Sequence, residues 1–261
     1  MAITVFPKPV HRSPFKRKPL RMPGQSIQDE MNRLLEDRMI PIVVFVGLFA
    51  VYALNDWMIT LGLYRPMPRF TSTVALVGIV YLTYKYFDFK RTAERLRMAR
   101  DGERHVGQFL EDLRAGGARV FHDLVGDHFN IDHVVVSKHG IFVLETKSYN
   151  KPKNGDPTVQ YDGERLFFRG TPLKWNPVRQ AKSLAGWLRD QLLESTGKRF
   201  PIRPVVLLPG WFVELHTKDA SEVWVLNPKM LKAFIEREPM MLSSEDVALV
   251  ASRIVKDMQK L

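Results

Sequence analysis

Cysteine is missing from all 261 residues of the chain. Its absence excludes a disulfide framework, a thiolate zinc site and a cysteine nucleophile, and it fits a reducing compartment. Any metal must therefore take oxygen or imidazole ligands. Internal repeats are also absent, and the N-terminus lacks the early apolar core and small-residue cleavage site of a secretory signal. Acidic residues are sparse at first: residues 1–101 hold 16 Lys and Arg against 8 Asp and Glu, whereas residues 102–261 hold 23 against 20. Most of the net charge of +11 thus lies beside two apolar stretches. Basic residues there are expected from the positive-inside rule and from anionic lipid head groups, so the pI of 9.8 says little about nucleic acid.

What is present divides the chain into four parts. Residues 1–38 read as a flexible basic tail, with Pro7, Pro9, Pro14, Pro19 and Pro23 among Lys16, Arg17, Lys18 and Arg21 and no helical or strand period. Residues 39–88 read as a transmembrane helical hairpin. Its apolar runs, Met39 to Leu63 and Phe70 to Phe87, are each near the ~20 residues a bilayer requires. Asn55 and Asp56 interrupt the first run, with Trp57 at the interface. The short loop 64–69 carries Arg65 and Arg69, but both outer flanks are richer in Lys and Arg. The expectation is an integral protein of a bacterial inner membrane, in contact with lipid, with its C-terminal domain cytoplasmic. Residues 89–101 read as a juxtamembrane linker helix, and its helical pattern continues through Val106, Phe109, Leu110 and Leu113 to Gly116-Gly117.

Residues 102–261 form the remaining domain. Strands are expected at Arg119 to Asp123, Asn130 to Ser137 and Gly140 to Lys147, the last two joined as a hairpin near His139. A polar hairpin around Gln160 to Arg169 follows, then a helix from Pro177 to Glu194. Strands at Ile202 to Leu208 and Glu222 to Leu226 and helices at Lys229 to Glu236 and Ser243 to Met258 complete the pattern. This is an α/β order, with a mixed sheet flanked by helices.

Three charges stand out because their surroundings are apolar. Asp132 lies in NIDHVVVS, and Glu145 and Lys147 end GIFVLETK. Charges in such strands call for partners. Alternation along a strand puts Glu145 and Lys147 on one face, and a tight turn brings Asp132 opposite or diagonal to Glu145. Converging carboxylates suit a hard cation such as Mg²⁺, or Mn²⁺ in its place, and a bound cation with an amine beside it suits phosphodiester hydrolysis.

The ordered set Gly102-Glu103, Asn130-Ile131-Asp132-His133, Gly140 through Lys147, and Asn176-Pro177 with Gln180 resembles the NERD (nuclease-related) domains of the PD-(D/E)xK nuclease superfamily, over residues 101 to 226. The resemblance implies a restriction-endonuclease-like fold and a nucleic-acid substrate. It further implies that Asp132 and Glu145 are metal ligands, that Lys147 is the catalytic lysine, and that Glu103 and Gln180 are supporting positions on flanking helices. The alternative function is a membrane-tethered binding or scaffold module that keeps the nuclease fold without hydrolysis.

Other groups carry less. His105, His122, His128, His133 and His139 match no ligand spacing and read as separate side chains. His122-Asp123 is a lone dipeptide. Of Trp175, Trp187, Trp211 and Trp224, three lie in apolar runs and read as core or interface. Lys151, Lys153, Arg165, Arg169 and Lys174 offer a phosphate-guiding rim or a solvated loop.

Overall fold

A computed structural model of the chain describes residues 21–62, 68–126, 129–152, 155–216 and 222–260. Tail residues 1–20, loop residues 64–67, His128 and Lys153 lie outside the described residues. Two long helices come first, α1 (Gln25–Thr60) and α2 (Pro68–Ala115). They are followed by an antiparallel meander of β1 (Arg119–Val125), β2 (Asn130–Ser137) and β3 (Gly140–Thr146). After α3 (Pro177–Thr196), the strands β7 (Ile202–Leu207) and β9 (Trp224–Leu226) extend this sheet in parallel, in the order β1-β2-β3-β7-β9. Helices α4 (Pro228–Arg237) and α5 (Ser244–Lys260) close the chain.

The apolar run of β3 explains its central place. All seven of its residues are buried, as expected for a strand covered on both faces. On one face α2 inserts Val106, Leu110 and Leu113 against Val135, Phe142 and Leu144, and α4 adds Leu231 and Ile235. On the other, Leu184, Leu188 and Leu192 of α3 and Val247, Val250 and Ile254 of α5 cover Val134, Val136, Ile141 and Val143. Both α3 and α4 start with an Asn-Pro pair. Asn176 and Asn227 accept backbone N–H groups through their side chains, and the following proline takes the first helical position, where no N–H is needed.

The expected single sheet is corrected to two. A second sheet has the order β6-β5-β4-β8, formed by β4 (Thr158–Tyr161), β5 (Leu166–Phe168), β6 (Thr171–Pro172) and β8 (Phe212–Leu215). Its key pairing, β4 with β8, is parallel and spans distant parts of the chain. Strand β8 is largely exposed, so it carries no apolar alternation to announce it.

The boundaries of the first half also shift. Residues 25–38, expected within the tail, are helical, because no proline falls between Pro23 and Pro41 and good helix formers fill the interval. Asn55 and Asp56 do not end α1, and residues 89–101 are no separate linker but the middle of α2. Among the described residues no helix is long and apolar enough to cross a membrane, so the expected hairpin is shown as paired helices and not as two spans. Large apolar side chains are nonetheless exposed along it, among them Phe49, Leu54, Trp57, Leu76, Ile79 and Tyr84.

One glycine decides how close α2 comes to the sheet. A Cβ on Gly102 would lie 1.7 Å from Ser148 Oγ and 3.0 Å from Ser148 Cβ, just past the end of β3. Helix propensity alone favours alanine by about 1 kcal/mol, whereas overpacking costs about 1–3 kcal/mol. Gly102→Ala is therefore expected to destabilise the domain in urea titrations. In a Ser148→Gly background the same change should turn stabilising; destabilisation of equal size in both backgrounds contradicts the contact.

Candidate functional site

Glu145 is the penultimate residue of β3, and Lys147 follows just past its end. Lys147 Nζ lies 2.6 Å from Glu145 Oε1, and the Glu145 side chain is only 2% exposed. The Lys147 backbone N–H donates to Leu207 O at 2.9 Å, so β7 anchors the chain as it leaves the sheet. The β2–β3 register runs through His133 opposite Leu144, and its next step sets Asp132 opposite Glu145. There Asp132 Oδ2 accepts the Thr146 N–H at 2.7 Å. Glu103, buried on the α2 turn freed by Gly102, completes the group.

Electrostatics tie these four together. Burial, then the charges of Asp123 and Glu145, push Glu103 up to about 7. Burial, then Glu145 and Glu103, raise Asp132 well above the usual carboxylate range, against the Thr146 N–H and Lys147. Glu145 is also raised by burial, although Lys147 resists. Burial alone would depress Lys147, but the charge and hydrogen bond of Glu145, with Asp132, lift it above its ordinary value. Three poorly solvated carboxylates thus act on one another and on one ammonium. The shortfall of positive charge is met by protons or by a cation.

The donor set fits a hard cation in part. Carboxylate oxygens are the right ligands, and Glu145 Oε2 is buried without a hydrogen-bond partner. Among the described residues, however, no three His, Asp or Glu side chains are close enough together to hold a metal ion. Mg²⁺ usually takes only one or two protein carboxylates, keeping water or phosphate at its other positions.

Gln180 stands apart. It lies in the first turn of α3, where its Oε1 accepts the indole N–H of Trp175 at 3.2 Å, and among the described residues it bonds to none of the four charged groups. Trp175 is 70% exposed, whereas Trp211 is buried and Trp187 and Trp224 pack partly against the core. The histidines are not all separate. His122 and His133 are cross-strand partners with their Nδ1 atoms 2.9 Å apart. Burial and then Arg114 lower His122 to about 4, and burial and then His122 carry His133 well below its usual range, so both are neutral at pH 7. His105 meets the Phe109 ring edge to face, and His139 bonds Glu238 O.

Asp123, passed over as part of a dipeptide, is the residue that sequence reasoning missed. It is 2% exposed, has φ +53°, and acts electrostatically on Glu103. The signal was the one that exposed Asp132, a charge inside an apolar strand (RVFHDLV).

The Glu103 shift has a consequence for stability. A carboxyl whose pKa is higher in the folded than in the unfolded chain stabilises most below the unfolded value, near 4.5, and loses that contribution as pH rises through about 7. In metal-free protein, the stability of wild type relative to Glu103→Gln is expected to fall from pH 4.5 to 7 in urea titrations. The buried histidines act with the opposite sign but cancel in this difference. A flat difference across that window contradicts a buried, charge-crowded Glu103.

No curated protein and no solved structure matches the chain. One family does: residues 99–209, which carry Glu103, Asp132, Glu145, Lys147 and Gln180, match NERD, the nuclease-related domain.

Proposed function

We propose that the chain is a membrane-attached nuclease that hydrolyses phosphodiesters of nucleic acid with Mg²⁺. The observation that carries this reading is the buried Glu145 at the end of β3, one oxygen on Lys147 and the other unpartnered, with Asp132 beside it on the neighbouring strand. Asp132 and Glu145 would hold the cation, which supplies polarisation of a phosphodiester and a more acidic bound water. Lys147, kept charged by Glu145, is placed to orient water or to meet negative charge developing on phosphate oxygens. Glu103 backs the two ligands from α2 and raises the local demand for a cation.

Attachment to a membrane is supported by the two apolar runs, by the exposed Phe49, Leu54, Trp57, Leu76 and Tyr84, and by Lys85, Lys90 and Arg91 where the second run ends. The basic flanks favour a cytoplasmic position for the domain.

A second reading, a tethered binding module without hydrolysis, is favoured by the direct Glu145–Lys147 contact and by the lack of a three-ligand cluster among the described residues. One experiment separates the two. The full chain is expected to stay with membranes through alkaline washing and, purified in detergent, to cleave labelled DNA or RNA only with Mg²⁺. Lys147→Ala and Asp132→Ala should each slow cleavage by about 100-fold or more. Equal cleavage by wild type and both variants rejects the assignment. No cleavage and no Mg²⁺ binding by the folded chain supports the binding module.

A further inference from the structure

Residues 21–26, which lead into the first turn of α1, cross over the end of β1, and the crossing is built from specific contacts. Arg21 Nε donates to Asp123 Oδ2 at 2.5 Å, the Ser26 N–H donates to the same oxygen at 2.9 Å, and the Ser26 hydroxyl donates to Oδ1. The Asp123 side chain is 3% exposed, so these groups neutralise a buried charge. Its backbone is unusual as well: φ is +53°, and the β1–β2 ladder pairs His122 with His133 and Leu124 with Ile131 while skipping the rung between Asp123 and Asp132. A non-glycine residue held in the left-handed region costs of order 1–3 kcal/mol and persists only where its surroundings fix it.

Two glycines fit the crossing to α2. A Cβ on Gly107 would lie 2.7 Å from Pro23 Cγ, and a Cβ on Gly24 would lie 3.1 Å from Arg100 Cγ. Arg100 Nη1 in turn donates to Gln28 Oε1 at 2.9 Å. Between these fixed points lies the α2 turn that carries Glu103.

We infer that Asp123 is a positioning residue, through which Arg21 and Ser26 dock the N-terminal strap so that Pro23 and Gly24, packed on Gly107 and Arg100, fix the α2 turn that carries Glu103. The inference rests on the proposed cation site, and it extends that site to residues outside the 99–209 match. Its consequence is that the placement of α1, and with it the helical hairpin, is coupled to the order of the acidic group.

The absence of cysteine permits a clean test in the full chain. A Cβ on Gly107 would stand 3.2 Å from Pro23 Cβ, slightly inside the roughly 3.5–4.5 Å of a disulfide, so Pro23→Cys with Gly107→Cys gives a lock that reductant opens. The probes are Mn²⁺ affinity in detergent, by electron paramagnetic resonance, and amide exchange over residues 100–107. Arg21→Ala and Asp123→Asn are expected to weaken Mn²⁺ binding at least tenfold and to speed exchange. The oxidised lock should return both readouts of Arg21→Ala to wild-type values, and reduction should abolish the rescue in the same folded molecule. Wild-type affinity and exchange in Arg21→Ala, or a loss that the lock does not restore, overturns the inference. If wild type binds no Mn²⁺, the cation site fails on its own account, and the exchange arm alone then decides the docking.

Discussion

The organisation of this domain turns on charge buried at the end of a central strand. Strand β3 is apolar from Gly140 to Leu144 and covered on both faces, yet it ends in Glu145-Thr146, with Lys147 just beyond. Withdrawing a carboxylate from water costs several kcal/mol unless opposite charge and hydrogen bonds meet it. Lys147 meets one oxygen of Glu145 and leaves the other unpartnered. Asp132 and Glu103 then add two further acids to a region already short of positive charge. An arrangement that weakens the apo fold in this way has a physical rationale if something cationic occupies it during function.

Helix α2 is what makes the crowding possible. The face carrying Val106, Leu110 and Leu113 is ordinary core, and it holds the helix to the sheet. One turn earlier Gly102 lets the helix come against Ser148, and the adjacent Glu103 is carried into the acidic group by the same approach. Since α2 also runs back to Pro68, the helix that supplies an acid to the site is continuous with the hairpin. The fold therefore has no break in α2 between the hairpin and the site.

Much of the site was legible in the sequence for one reason: a charge inside an apolar strand is conspicuous. Asp132, Glu145 and Lys147 stood out on that basis; apolar runs and a two-residue turn at Lys138 and His139 marked β2 at its observed bounds and β3 one residue too long, to Lys147. Asp123 obeyed the same rule, but the reading stopped at its dipeptide. The His122–His133 pair escaped because cross-strand neighbours depend on register rather than on spacing. The second sheet was hidden for a related reason, since the exposed β8 pairs with the distant β4 and has no pattern of its own. Gln180 shows the converse, a position that fits a motif while its side chain engages Trp175.

The central claim is that Asp132 and Glu145 form a cation site. Anomalous scattering from crystals grown with Mn²⁺ addresses it most directly. The account predicts a peak about 2.1 Å from Glu145 Oε2 and from an Asp132 oxygen. A peak elsewhere, or none while Lys147 remains on Glu145, contradicts it.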